Sequence, residues 1–247
     1  MKVSSDPELI IVGVGPGDPS LMTLAAVRAI KDSTVIAFPI AKAGQISNAA
    51  KIAAEVITSH KKELALIFPM VSDVELRKKA WREAGDKLAS EVHKGEEVVF
   101  LCQGDSSLFA SASYLLLEIK ANHAECPIKI IPGITSFSAA AAAAHFPLAL
   151  QQDQLLIIPT PEDSTTLEKL LIEAVVLRRV VVLLKLGKRW LWVRPLLEKM
   201  NLLEGSIFAE NVGFAEEKII PSIEIPAKAT PYFSLLLIRQ RWPDVIP

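Results

Sequence analysis

Short, nearly unbroken apolar runs alternate along the chain with longer stretches whose apolar positions recur every three or four residues. The first kind of pattern predicts strands at 8–14, 34–38, 64–68, 96–101 and 128–131, and the second predicts helices at 20–31, 45–57, 73–93, 108–120 and 135–145. Strict alternation of strand and helix implies a mainly parallel sheet with helices on both faces. In such a sheet the ligand lies outside the carboxyl ends of the strands.

The pattern changes after His145-Phe146-Pro147, where the polar run Gln151-Gln152-Asp153-Gln154 marks a junction. Two α/β domains are therefore expected, over 1–148 and 152–247. The second has strands at 154–158, 179–185 and 206–212, helices at 164–176 and 189–200, and a tail, EEKIIPSIEIP and YFSLLLIRQ, that reads as hairpins in a mixed sheet. There is no internal repeat, and Ala139 to Ala144 is the one low-complexity stretch.

Composition narrows the function classes. The chain has 247 residues, 51% apolar and 22% charged, and no apolar run approaches the ~18 residues of a membrane span, so a soluble, cytoplasmic protein without a membrane partner is expected. A net charge of −1 gives no general attraction to nucleic acid. Two widely separated cysteines, Cys102 and Cys126, indicate neither a zinc ribbon nor a disulfide framework, and no metal site is expected.

Three predicted strands end in glycine turns carrying small hydroxyl or acidic residues: Gly13-Val14-Gly15-Pro16-Gly17-Asp18, Gly104-Asp105-Ser106-Ser107, and Pro132-Gly133 followed by Thr135-Ser136. The first is not a dinucleotide fingerprint, because Asp18 replaces the third glycine and Phe38-Pro39 stands where the second strand should end in an acid. Nor is it a P-loop, since no Gly-Lys-Ser/Thr follows and Asp18 would repel a phosphate. Asp18 suits a capping role, and Ser106-Ser107 are placed to cap a helix starting near Leu108. In a parallel sheet the three turns lie on one edge and can line one crevice.

The stretches VGVGPGDPSLMTLAAVRAI, LCQGDSSLFASASYLL and IPGITSFSAAAAA together resemble the tetrapyrrole methylase family, and the resemblance covers essentially the whole chain. Within it, VIAFPIAKAG, LALIFPMVSD and VVVLLKLGKRW are similar to the branch that methylates precorrin-2, or its cobalt form, at C-20. The resemblance implies two α/β domains with a cofactor cleft between them, a homodimer, S-adenosylmethionine as methyl donor and a tetrapyrrole as substrate. Carried onto this sequence, it implies cofactor contacts at Gly104, Asp105, Ser106, Ser107, Leu108, Thr135, Ser136, Leu186, Pro231, Tyr232 and Phe233. Gly15, Pro16, Gly17 and Asp18 would floor the tetrapyrrole side, the glycines letting a flat macrocycle approach the backbone. The family usually has proline at the position of Ser106, a departure expected to loosen the turn, and Glu210-Asn211 stands where many relatives have an acid-arginine pair.

Methyl transfer from a sulfonium needs little covalent help, so positioning supplies most of the catalysis and no nucleophilic residue is expected. A base assisting proton loss has three candidates, Asp105, His145 and Glu210, between which the sequence does not choose. The many carboxylates of such a substrate call for cations around the rim, for which Lys42, Lys185, Lys188 and Arg189 are placed in or after strand-end loops. Trp190 and Trp192 are candidates for a dimer surface or for ordinary core packing. Two rival functions remain: a methylase of the same fold with another substrate, and a nucleotide-binding protein without catalysis.

Overall fold

The computed structural model describes residues 6–241. The chain divides after Thr135 into two compact units. The first is built from β1 (Leu9–Gly13), α1 (Leu24–Asp32), β2 (Val35–Ile40), α2 (Asn48–Ile52), β3 (Lys62–Ile67), α3 (Val74–His93), β4 (Val98–Cys102), α4 (Ser111–Asn122) and β5 (Ile128–Ile131). Its five strands are all parallel, in the order β3-β2-β4-β1-β5. β4 is buried along its whole length and β1 nearly so, which is why both read as unbroken apolar runs, whereas edge strand β3 keeps Lys62 and Glu63 in solvent. Phe100, Leu88, Leu115 and Ile119 pack between the sheet and the helices α3 and α4.

Helix starts depart from the periodicity where polar residues cap earlier or later than expected. The Asp18 carboxylate accepts from the Ser20 amide at 2.8 Å, but this caps a single 3-10 turn over Pro19–Leu21; Thr23 caps α1 through the Ala26 amide at 3.1 Å. α2 is reduced to five residues behind Ser47. α4 begins at Ser111, not near Leu108, because the Ser106 and Ser107 hydroxyls are engaged elsewhere and Ala110 offers no side-chain cap.

The second unit contains α5 (Ser136–Ala143), β6 (Gln154–Pro159), α6 (Ser164–Val176), β7 (Arg179–Leu184), α7 (Trp190–Lys199), β8 (Ser206–Glu210), β9 (Lys218–Pro221) and β10 (Ser234–Ile238). Its sheet order is β6-β7-β10-β8-β9, with β6 and β7 parallel and the other pairs antiparallel. The two tail segments are not separate hairpins. The first pairs as β9 with β8, and the second enters the centre of the sheet as β10, fully buried, which accounts for its Leu235-Leu236-Leu237 run. The break falls earlier than the expected junction at 149–151 because α5 packs against β10.

The 145–153 segment is tied into this unit by Arg239. Its guanidinium donates to Asp153 Oδ2 at 2.7 Å and to the Pro147 carbonyl at 2.8 Å, and both members of the ion pair are buried. Trp190 is fully buried against Phe208, with ring centroids 5.5 Å apart, and donates its indole N–H to the Pro226 carbonyl; Trp192 packs on the same core. Trp190 therefore serves core packing, whereas Trp192 packs at the margin of that core and stays half-buried. Among the described residues no helix is long and apolar enough to cross a membrane.

Candidate functional site

In the first unit the turns after β1, β4 and β5 meet backbone to backbone. A Cβ built on Gly133 would lie 2.2 Å from the Gly104 carbonyl oxygen, and one on Gly13 would lie 2.6 Å from the Gly133 nitrogen, so neither position has room for any side chain. Gly15 and Gly104 bridge each other, Gly104 N–H to Gly15 O at 2.7 Å and Gly15 N–H to Gly104 O at 3.2 Å, and both have positive φ, 84° and 73°. Gly15, Pro16 and Gly17 are buried, while Asp18 is half-exposed. Close approach of the three turns to one another is thus sufficient reason for the glycines at 13 and 133.

Polar side chains flanking Gly104 fasten its turn to its neighbours. Asp105 Oδ1 accepts from the Ser107 amide at 2.9 Å and from its hydroxyl at 2.5 Å, and Oδ2 accepts from the Gly133 amide at 2.9 Å. Desolvation pushes the Asp105 pKa up, but the hydrogen bonds from Ser107, Gly133 and the Ser106 amide outweigh it and hold the carboxyl below its ordinary value. Ser106 is buried and donates its hydroxyl to the Ile131 carbonyl at 3.1 Å, so the departure from proline ties the turn to β5 and does not loosen it. On the other side Gln103 donates to the Pro16 carbonyl at 3.2 Å and accepts from the Asn48 amide at 3.3 Å. Because a carbonyl can only accept, this orientation of the Gln103 amide is forced. Gln103 and Asn48 were missed by motif reading; adjacency to the Gly-Asp pair was the available signal.

What this edge presents outward is mostly backbone and apolar surface. Leu108 is half-buried, and Phe109 and Ile134 are exposed; Thr135 is half-buried, and Lys42 is exposed in the loop after β2. A Cβ on Gly104 would meet nothing within 4 Å, so this turn faces open space. Cys102, buried beneath it, has its thiol pushed up to about 12 by burial and is no nucleophile at neutral pH.

The second unit gathers its candidate residues on one sheet edge as well. β10 runs antiparallel to β7 and β8, so the residues after β7, those after β8 and those before β10 lie side by side. The Thr230 hydroxyl donates to the Gly187 carbonyl at 3.0 Å, Ser234 Oγ accepts from the Gly187 amide at 3.3 Å and donates to the Pro231 carbonyl at 2.6 Å, and Asn211 N–H reaches the Phe233 carbonyl at 2.9 Å. This latch leaves Pro231, Tyr232 and Phe233 exposed, the two rings edge to face at 5.3 Å. Thr230 and Ser234 were not foreseen from the sequence.

Other expected residues are differently placed. The Leu186 side chain is fully buried in the second core, its amide donates to the Ser234 carbonyl and its carbonyl accepts from the Arg189 amide, so only the second lone pair of that carbonyl is left for a ligand. Lys185 stands over the Tyr232 ring at 6.0 Å, Arg189 is ion-paired with Glu162, and Lys188 is exposed. Ser136 opens α5, His145 is exposed just beyond that helix, and Glu210 ends β8 half-buried. Among the described residues no group of three or more His, Cys, Asp or Glu side chains is placed to hold a metal ion.

Residues 8–224 match the family described as Tetrapyrrole (Corrin/Porphyrin) Methylases. The chain belongs to this family. It is 29% identical over 239 residues to the cobalt-precorrin-2 C(20)-methyltransferase of Salmonella typhimurium, covering 95% of this chain and 97% of that one. It is 28% identical over 244 residues to the precorrin-2 C(20)-methyltransferase of a Sinorhizobium species, covering 96% of each. The fold is shared with the uroporphyrin-III C-methyl transferase of Thermus thermophilus, solved in complex with S-adenosyl homocysteine, at a TM-score of 0.62 and 17% identity over 94% of this chain and 97% of that one. In this tetrapyrrole methylase the glycine turns, the Asp105 clamp and the Thr230–Ser234 latch all lie on the sheet edges where the candidate ligand residues are found.

Proposed function

We propose that this methylase transfers a methyl group from S-adenosylmethionine to C-20 of precorrin-2 or cobalt-precorrin-2 in cobalamin biosynthesis, as a cytoplasmic homodimer. The observation that carries the assignment is similarity over nearly the full length of both chains to two C(20)-methyltransferases, one named for each form of the substrate. Their identities to this chain differ by one percentage point, 29% and 28%, so both forms of the ring are retained.

The residues present fit the donor. Gly104 faces open space at the edge, and next to it Asp105 carries a carboxylate held ionised by its hydrogen bonds, a suitable neighbour for a sulfonium cation. When bound, S-adenosylmethionine supplies an electrophilic methyl. The protein's part is to hold and orient: backbone groups of Gly104–Leu108 and Thr135, and the exposed Pro231–Phe233 segment, are the proposed cofactor contacts. Gly15–Asp18, Lys42, Lys185, Lys188 and Arg189 are the proposed substrate contacts. Asp18 and the cations are the members of that set with exposed polar groups; a buried Gly15–Gly17 acts by fixing where Asp18 stands.

The chemistry requires no activated nucleophile, in keeping with a buried Cys102 whose thiol stays protonated. Of the three base candidates, Asp105 is the weakest, since both its oxygens accept hydrogen bonds that favour the ionised, unprotonated form. Comparing turnover of precorrin-2 with that of its cobalt form tests the assignment. The account expects methylation of at least one, and absence of turnover with both by cofactor-binding protein would overturn it. Light scattering should give twice the 26.9 kDa chain mass; a species of single-chain mass at micromolar concentration would refute the dimer.

A further inference from the structure

Seven non-glycine residues among those described have positive φ. Three of them, His145, Arg178 and Asn201, follow the last turns of α5, α6 and α7, where a left-handed residue ordinarily closes a helix. Gln151 sits in a turn closed by the Asp153 amide on the Leu150 carbonyl. The other three, Phe109 in the first unit and Lys185 and Asn211 in the second, lie in strand-end loops of their own unit that carry candidate ligand residues. Asparagine tolerates this conformation, and Lys185 gains the Tyr232 ring. Phe109, at φ 51°, has neither of these compensations, and the residue is 46% exposed, so the fold keeps an uncommon backbone conformation and a partly solvent-exposed aromatic residue at the same position.

The reversal between Ser107 and Ala110 would be made at less cost by glycine or asparagine. Packing therefore covers only part of this residue and leaves the rest to solvent. It stands in the segment that leads from the Asp105 clamp into α4, and Ile134, exposed after Gly133, stands on the adjoining turn joined to that clamp. We propose that Phe109 is a binding residue that offers its ring face to a flat conjugated ligand, a tetrapyrrole macrocycle or the adenine of the methyl donor, and that the strain at this residue is kept for that purpose.

The inference rests on the proposed methylase function but is read by binding, not turnover. The full-length protein and its Phe109→Gly and Phe109→Asn variants are titrated separately with precorrin-2, by absorbance, and with S-adenosyl homocysteine, by calorimetry, and their Tm values are measured. Both variants should keep or raise Tm, since strain is relieved, while weakening one ligand about tenfold and the other by less than twofold. Weakened precorrin-2 assigns the ring to the macrocycle; weakened S-adenosyl homocysteine assigns it to the adenine. A fall in Tm with unchanged affinity for both would show that Phe109 serves the fold, and unchanged affinity with raised Tm would remove any role in binding; either overturns the proposal. If the wild type binds precorrin-2 but methylates a position other than C-20, the proposed function fails while the Phe109 titration stays decisive.

Discussion

The sheet edges that carry candidate ligand residues, one in each unit, are held by different means. In the first unit three strand ends are locked by backbone contact, with glycines at 13, 104 and 133 and carboxylate, hydroxyl and amide clamps from Asp105, Ser106 and Gln103. In the second, the strand ends are joined by the Thr230 and Ser234 hydroxyls, which both bond to Gly187, and left-handed backbone occurs at Lys185 and Asn211 as well as at the nearby Gly187 and Gly213. The difference matters for what each edge can do. A contact of backbones admits almost no adjustment, because a single added carbon has nowhere to go. A latch of hydroxyls opens at about 1 kcal/mol per bond. The first edge suits a rigid floor, and the second suits a segment, Pro231–Phe233, that adapts to a ligand.

Glycine substitutions break the comparison most sharply. Gly133→Ala should cost more than about 4 kcal/mol in denaturant unfolding, since the new carbon overlaps a carbonyl oxygen, whereas Gly104→Ala, which meets only open space, should cost about 1–2 kcal/mol from its left-handed backbone. Equal effects would mean that the turns do not interlock. In the second unit the comparable injury is to the buried ion pair: Arg239→Ala should cost about 3–5 kcal/mol by leaving Asp153 buried and unpaired.

Asp105→Asn should cost about 1.5–3 kcal/mol, because an amide cannot accept from both the Gly133 amide and Ser107. It should also change the acid limb of stability. The folded pKa of Asp105 lies below its unfolded value, so its contribution is complete above about pH 4 and is lost as pH falls through the folded pKa. The variant should show a shallower loss of stability in that window, measured by urea unfolding against pH; an unchanged slope would argue that the clamp is not ionised.

Smaller effects sharpen the second edge. Ser234→Ala should cost about 1 kcal/mol and weaken S-adenosyl homocysteine more than its stability loss explains, if Pro231–Phe233 is positioned by the latch. Lys188→Glu, at an exposed cation with no fold role, should leave Tm unchanged and raise KM for the tetrapyrrole several-fold at constant kcat, the mark of uniform binding. A fall in kcat alone would place Lys188 against the reacting atoms instead.

The same contrast explains how much was legible in the sequence. Alternating apolar runs and helical spacing located the elements of the first unit, and its glycine turns drew attention because glycine is the residue that backbone contact demands. The second edge is latched by a threonine and a serine on the single glycine Gly187, residues that are common in any loop and far apart in sequence, so its latch leaves no local pattern to find. Leu186 looked like a ligand contact through resemblance, yet its side chain completes the core. The start of α4 is displaced because Ser106 and Ser107 are good caps whose hydroxyls are engaged elsewhere, Ser106 on the Ile131 carbonyl of β5 and Ser107 on Asp105 within its own turn. β10 read as half of a hairpin because local spacing does not reveal insertion between two strands distant in sequence.

The most direct test of the central claim is to supply S-adenosylmethionine carrying a carbon-13 methyl group with precorrin-2 or its cobalt form and to read the product by NMR. The account predicts a single labelled methyl on the meso carbon C-20. A label on a pyrrole carbon would keep the methyltransferase and contradict the assigned position, and an unlabelled macrocycle from cofactor-binding protein would contradict the tetrapyrrole substrate itself.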